Sequence, residues 1–151
     1  MNGIRTSARC ALLCAAIQSA GFAAEAPAAN AAMPGVLKSL QSLQFAADDD
    51  VKCLGDALES GDPAKGPSTI LLKASSGCLV PWHYHTAMEQ VTVIRGRLTM
   101  EMTGHNAVLT SGGFASMPGK MAHQFTCSGK EECLVMVTFD RTYDIFWGKG
   151  N

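Results

Sequence analysis

From Ser68 to Trp147 apolar and polar positions alternate over short runs, and a glycine or a polar cluster breaks each run. Alternation of period two places successive side chains on opposite faces of an extended strand. Thr69-Ile70-Leu71-Leu72-Lys73-Ala74 predicts a strand that ends at Ser75-Ser76-Gly77. Glu89 to Arg95 keeps Glu89, Val91 and Val93 on one parity, and Gly96 turns the chain. Leu98, Met100 and Met102 then alternate with Arg97, Thr99 and Glu101, the pattern of a half-buried strand. Gly104-His105-Asn106 predicts a hairpin tip, Ala107-Val108-Leu109 its return, and Ser111-Gly112-Gly113 the next break. Phe114 to Met117 is short. His123 to Cys127 and Leu134 to Phe139 predict a hairpin across Ser128-Gly129-Lys130, and Tyr143 to Trp147 a last strand. Strands at this spacing, with no long helical pattern between them, predict an antiparallel sandwich or barrel.

The pattern before Ser68 differs. Arg5 and Arg9 precede a mostly apolar stretch from Cys10 to Phe22, and small residues follow at Gly21, Ala23 and Ala24. That order of basic start, short apolar run and small-residue end predicts a secretory signal over residues 1–24, cleaved after Ala23 or Ala24. The apolar run is too short for a membrane span and is interrupted by Gln18 and Ser19. Residues 25–50 predict a tether and N-terminal arm. The tether is rich in Ala and Pro, and the spacing of Leu37, Leu40 and Leu43 suits a short helix or an irregular arm on the barrel. Asp48-Asp49-Asp50 predicts a solvated turn, and Val51 to Leu58 a strand or one helical turn. Residues 51–151 form the predicted barrel domain.

Composition narrows the picture further. A chain of 151 residues favours one domain, and 17% charged against 47% hydrophobic residues is a globular balance. The formal net charge of −1 gives no reason to expect nucleic acid or an anionic membrane as partner. Loss of the leader would remove two of the 12 basic residues and none of the 13 acidic ones. It would also remove two of the 6 cysteines, leaving Cys53, Cys78, Cys127 and Cys133. An even number in an exported chain points to disulfides and to a periplasmic or secreted location. The expected pairs are Cys127–Cys133, which brackets a tight turn, and Cys53–Cys78, which would pin the arm to the loop before the next strand.

The candidate chemistry lies between Gly77 and His123. His83 and His85 are two apart, so a strand would show both rings on one face. Glu89 keeps that parity beyond Thr86-Ala87-Met88, and His123 would arrive from a separate strand. Neutral imidazoles and a carboxylate are common ligands of a divalent transition metal. Three of the 4 histidines fall in this pattern, and the fourth, His105, sits at a polar hairpin tip. Cys127 shares the parity of His123 but lies about 13 Å farther along a strand, too far for the same ion. Val91, Val93, Phe125 and Met100 are expected on the inner face beside the ligands, with Trp82 and Tyr84 on the outer face or at the mouth.

Gly77, His83, His85, Glu89 and Gly96 match the spacing of the first cupin motif, and Gly112, Pro118 and His123 match the second. The chain therefore resembles the cupin superfamily over roughly residues 67–147, and is similar to small single-domain exported bacterial cupins. It departs from the second motif at two positions: Lys120 replaces a glycine and Cys127 replaces an asparagine. The resemblance implies an all-β, antiparallel double-stranded β-helix, or jelly roll. It also implies His83, His85, Glu89 and His123 as the ligands of one divalent transition metal: Fe, Mn, Ni, Cu or Zn. By the same resemblance, the protein would act on or bind a small organic molecule, either as a dioxygenase-like metalloenzyme or as a non-catalytic ligand-binding or sensing module. A homodimer formed through barrel edges would fit that family. Neither a nucleic-acid partner nor stable membrane insertion after cleavage is expected.

Overall fold

The computed structural model describes residues 35–150, so the expected signal over 1–24 and most of the tether lie outside the described residues. The described chain is built from eleven strands in two antiparallel sheets. They are β1 (Ala46–Ala47), β2 (Leu54–Gly61), β3 (Ser68–Ala74), β4 (Leu79–Tyr84), β5 (Glu89–Arg95), β6 (Arg97–Met102), β7 (His105–Thr110), β8 (Phe114–Met117), β9 (His123–Cys127), β10 (Cys133–Phe139) and β11 (Phe146–Trp147). One sheet runs β1-β2-β3-β10-β5-β8 and the other β11-β4-β9-β6-β7. This is the expected jelly roll.

Alternation explains the core. Val91 and Val93 of β5, Leu98 and Met100 of β6, Phe125 of β9, and Val135 and Val137 of β10 are buried; the alternate positions are mostly polar in β5, β6 and β9, whereas β10 also buries Leu134. Each large aliphatic side chain buried this way contributes about 1.5–3 kcal/mol.

Two local expectations are corrected, and one open choice is decided. The hairpin between β9 and β10 does not form: β9 pairs with β4 and β6, and β10 pairs with β3 and β5. Period-two alternation identifies a strand but not its partner, and here the chain crosses from one sheet to the other between Cys127 and Cys133. The same crossing occurs at Gly96, between β5 and β6. Of the two readings of the arm, the described residues follow the irregular one: a 3-10 turn at Leu40–Ser42 is their only helical piece, Leu37 and Leu40 are exposed, and the Lys38 ammonium donates to the Leu58 and Glu59 carbonyls of β2. The last strand is confined to Phe146–Trp147, which pairs with Tyr84 and His83.

Both expected cysteine pairs are at disulfide distance. Cys53 and Cys78 have Sγ atoms 2.06 Å apart, and Cys127 and Cys133 have theirs 2.13 Å apart. Cys53 precedes β2 and Cys78 precedes β4, so this pair, like Cys127–Cys133, links one sheet to the other. A bridge of this kind contributes about 2–4 kcal/mol, largely by restricting the unfolded chain.

Candidate metal centre

The pairing of β4 with β9 sets His83 directly opposite His123. His85 lies just beyond the end of β4. Glu89 begins β5 in the opposite sheet, where it faces Phe139 of β10 and Met117 of β8. The four side chains thus meet between the sheets, and all are buried. One donor atom from each lies within 4.8 Å of the others. Glu89 Oε2 is 2.8 Å from His123 Nε2 and 3.1 Å from His85 Nε2. His105 is exposed on β7 and outside this group.

The backbone fixes which ring nitrogens face inward. His83 Nδ1 lies 2.7 Å from the Pro81 carbonyl, His123 Nδ1 lies 2.9 Å from that of Met121, and His85 Nδ1 meets the Asp144 carbonyl. A carbonyl can only accept, so each Nδ1 carries the hydrogen and donates it. In the neutral ring, each Nε2 then presents a lone pair. For His85 and His123 that lone pair faces the Glu89 carboxylate, which also brings only lone pairs. Glu89 Oε2 and His123 Nε2 are buried with no well-directed hydrogen bond. Converging acceptors in a buried space are costly unless a cation sits among them. The donor set therefore fits one metal ion, and the outer hydrogen bonds orient the rings for it.

The protonation balance agrees with this frustration. Burial, together with the His123 charge, pushes His83 down to about 4, so it stays a free base near neutral pH. Burial alone would raise the Glu89 carboxyl, but His123 and His85 outweigh it and hold Glu89 well below the carboxylate range. Burial likewise lowers His123, yet the Glu89 carboxylate 2.8 Å away prevails and raises it. Without a metal, a proton on His123 is the cation that Glu89 has at hand.

A family model described as "Cupin domain" matches residues 73–139, a span that holds all four donors. The solved structures similar to this chain include proteins of the same fold. The polyketide cyclase RemF from Streptomyces resistomycificus aligns with a TM-score of 0.65 at 15% identity, covering 77% of this chain and 85% of that one. Residues 73–139 form a cupin domain. The cupin domain of Schizosaccharomyces pombe Cnp3 is similar with a TM-score of 0.62 at 14% identity, over 70% of this chain and 74% of the other. An oxalate oxidase in complex with the substrate analogue glycolate gives a TM-score of 0.51 at 24% identity, over 54% of this chain and 46% of the other. At these identities the likenesses show the shared fold. No curated protein matches the chain.

Two loops hold the centre of this cupin. In the loop before β9, the Lys120 N–H donates to the His85 carbonyl at 2.6 Å. Lys120 is the only described residue other than glycine with a positive φ, at 69°. It stands where the motif has glycine, and that conformation costs an L-residue roughly 1–2 kcal/mol. Lys120→Gly is therefore expected to raise stability by about 1 kcal/mol after the extra flexibility of the unfolded chain is counted. A urea melt that shows lower stability would mean the Lys120 side chain contributes more than its backbone strain costs. The second loop follows β10. The Asp144 carboxylate accepts hydrogen bonds from the Thr86 N–H at 2.7 Å and the Thr86 hydroxyl at 2.5 Å. Its carbonyl accepts from His85. Asp144 thus ties the segment after β4 to the ring it must orient, and sequence spacing gave no sign of this.

Above the centre lies a cavity of about 230 Å³. His83, His85 and Glu89 line it, with Val80, Phe125, Val137, Phe139, Tyr143 and Trp147 among the walls. Of the four residues expected beside the ligands, Phe125 reaches this space, whereas Val91, Val93 and Met100 fill the closed core. Asp48 also differs from expectation. Its carboxylate accepts the Asp50 and Val51 N–H groups and lines the cavity rather than simply facing solvent. Tyr143 packs against His85 and Phe139, with ring centroids 5.4 and 5.1 Å away. Burial and the charges of Asp48, Glu89, Asp50 and Asp56 push its hydroxyl up to about 12, so it remains a donor.

Proposed function

We propose that this cupin binds one divalent transition metal through His83, His85, Glu89 and His123, and presents it to a small organic molecule held in the cavity above. The observation that carries this reading is the convergence of inward lone pairs on Glu89, with each ring's other nitrogen committed to a carbonyl. Four protein ligands leave positions open on an ion that prefers five or six, and such an ion would act there as a Lewis acid or, if redox-active, support oxygen chemistry. The chain's own residues shape the reaction it could host. Apolar walls line much of the cavity, the Tyr143 hydroxyl can donate a hydrogen bond, and among the described lining residues the carboxylates besides Glu89 are Asp48 and Asp56, on the β1–β2 side.

An ion with open positions among these walls suits an oxygen-using, dioxygenase-like enzyme. It also leaves room for a second reading, a non-catalytic ligand-binding or sensing module. We further propose that the protein is exported. The two disulfide-distance cysteine pairs suit an oxidising compartment, and among the described residues no helix is long and apolar enough to cross a membrane.

One preparation tests these points together. Protein purified from the native envelope is expected to begin near Ala24 or Glu25 by intact mass and to carry about one equivalent of a transition metal. A chain that retains Met1 to Ala23 in the cytoplasm would refute export, and protein that takes up no metal would refute the centre. Oxygen uptake on addition of candidate substrates separates the enzyme from the binding module.

A further inference from the structure

The cavity has a second polar region, away from the metal donors. Asp48 follows β1 and Asp56 lies on β2, and the two are held together by the pairing of Ala46 with Asp56 and by the Asp48 N–H, which donates to the Leu54 carbonyl at 3.1 Å. Both line the cavity. Among the described residues, neither carboxylate is paired with a lysine or arginine, and the cavity lining holds no lysine or arginine, its only basic side chains being the metal-site His83 and His85. Burial and the Asp48 charge raise the Asp56 carboxyl, the response of an acid short of a cation. A divalent ion on Glu89 would leave one surplus positive charge, and Asp48 with Asp56 outweigh it.

An independent feature also points to a ligand. Ser68 is only 3% exposed, and its hydroxyl has no hydrogen-bond partner among the described residues. On β3 it shares parity with Ile70 and Leu72, which line the same cavity. Leu72 is paired with Asp56, so Ser68 lies four residues along the strand from the acidic end, about 13 Å away. The wall between these ends is apolar and aromatic. A cavity of about 150 Å³ already accepts benzene, so the larger space here can accept a ring with a short side chain.

We propose that the cavity takes a small organic amine, with its ammonium held by Asp48 and Asp56, its apolar body against Phe139, Tyr143 and Trp147, and a hydrogen-bonding group at its far end on Ser68. This rests on the cavity being the ligand pocket of the metal centre, but the source of the selectivity is separate from the metal. Aromatic faces favour a cation, and an unpaired carboxylate pair repels an anion.

The test uses three probes of one skeleton: tyramine, tyrosol and 3-(4-hydroxyphenyl)propionate, titrated calorimetrically into the full mature protein at pH 7, with and without metal. Tyramine is expected to bind at least tenfold more tightly than the propionate in both forms. Asp56→Asn or Asp48→Asn should shrink that gap several-fold while leaving tyrosol unchanged. Ser68→Ala removes an unpartnered buried hydroxyl and should fold normally. It should weaken tyramine several-fold but leave phenethylamine, which lacks the far hydroxyl, unaffected. Equal or tighter binding of the propionate, a gap that survives both Asp variants, or no binding of any probe would overturn the proposal. If the protein takes up no metal yet still prefers tyramine, the metal reading fails and the amine site stands.

Discussion

Replacing His123 with alanine is expected to leave the barrel folded and to weaken metal binding by at least on the order of 100-fold, while His105→Ala leaves it unchanged. Loss of groups that merely orient a ligand costs metal sites about 10–100-fold, and His123 would be a ligand itself. Its Nε2 lies 2.8 Å from Glu89 Oε2, and its Nδ1 is held by the Met121 carbonyl, so the ring is fixed with one nitrogen toward the site. Glu89→Gln should weaken binding as well, because it removes the only carboxylate in the group. Metal content after dialysis, measured for each variant, reads the effect directly. Full stoichiometry and affinity in His123→Ala would show that the four residues do not form the site. The pH dependence has a defined sign. Only a free imidazole can bind a metal, and Glu89 raises His123 above the ordinary histidine value of about 6.5. Protons should therefore begin to displace the metal above that pH, and affinity should fall steadily as pH drops. His83, pushed down to about 4, should not limit binding until far more acidic conditions.

The parts of this architecture that were legible in the sequence are those written in local spacing. Alternation located most strands, and parity placed His83, His85 and Glu89 on inward positions. The motif spacing joined His123 to them. What local spacing does not encode is which strands pair. His123 to Cys127 and Leu134 to Phe139 read as a hairpin because a short glycine-containing turn separates them, yet each strand finds its partners in a different sheet. The cysteine pair was still placed correctly, since residues that flank a short crossing remain close whichever sheet each joins. The cavity was the least legible feature. Asp48, Asp56 and Ser68 come from three successive segments and Tyr143 from the other end of the chain, and they carry no shared period. Asp48 resembles any acid in a polar turn, and Ser68 any strand-edge serine, until the fold turns both toward one space. Asp144 was hidden for the same reason: its effect on His85 passes through a backbone carbonyl, which every residue has.

Gly96→Ala should be the most destabilising single-methyl change among the motif glycines, costing about 3 kcal/mol or more, a size reserved for specific steric or burial faults. Two effects combine there. Gly96 has φ +94°, outside the conformations that L-residues adopt comfortably. A Cβ at this position would also lie 2.8 Å from both the Cα and the Sγ of Cys133. Neither atom can retreat, because Cys133 is buried, begins β10 and is held to Cys127. The close approach exists because the chain changes sheets at Gly96 directly against the place where the disulfide joins them. Gly77 and Gly112 provide the control. Their φ values, +80° and +81°, are similar, but a Cβ at either would meet nothing within 4 Å. Alanine there should cost only the backbone strain of roughly 1–2 kcal/mol. With a total stability of about 5–15 kcal/mol for a domain, Gly77→Ala and Gly112→Ala should purify and melt normally. Gly96→Ala should melt far earlier or fail to accumulate as soluble protein. Urea unfolding of the three variants under non-reducing conditions decides the matter. If Gly96→Ala loses no more stability than Gly77→Ala, the contact with Cys133 is not what reserves position 96 for glycine.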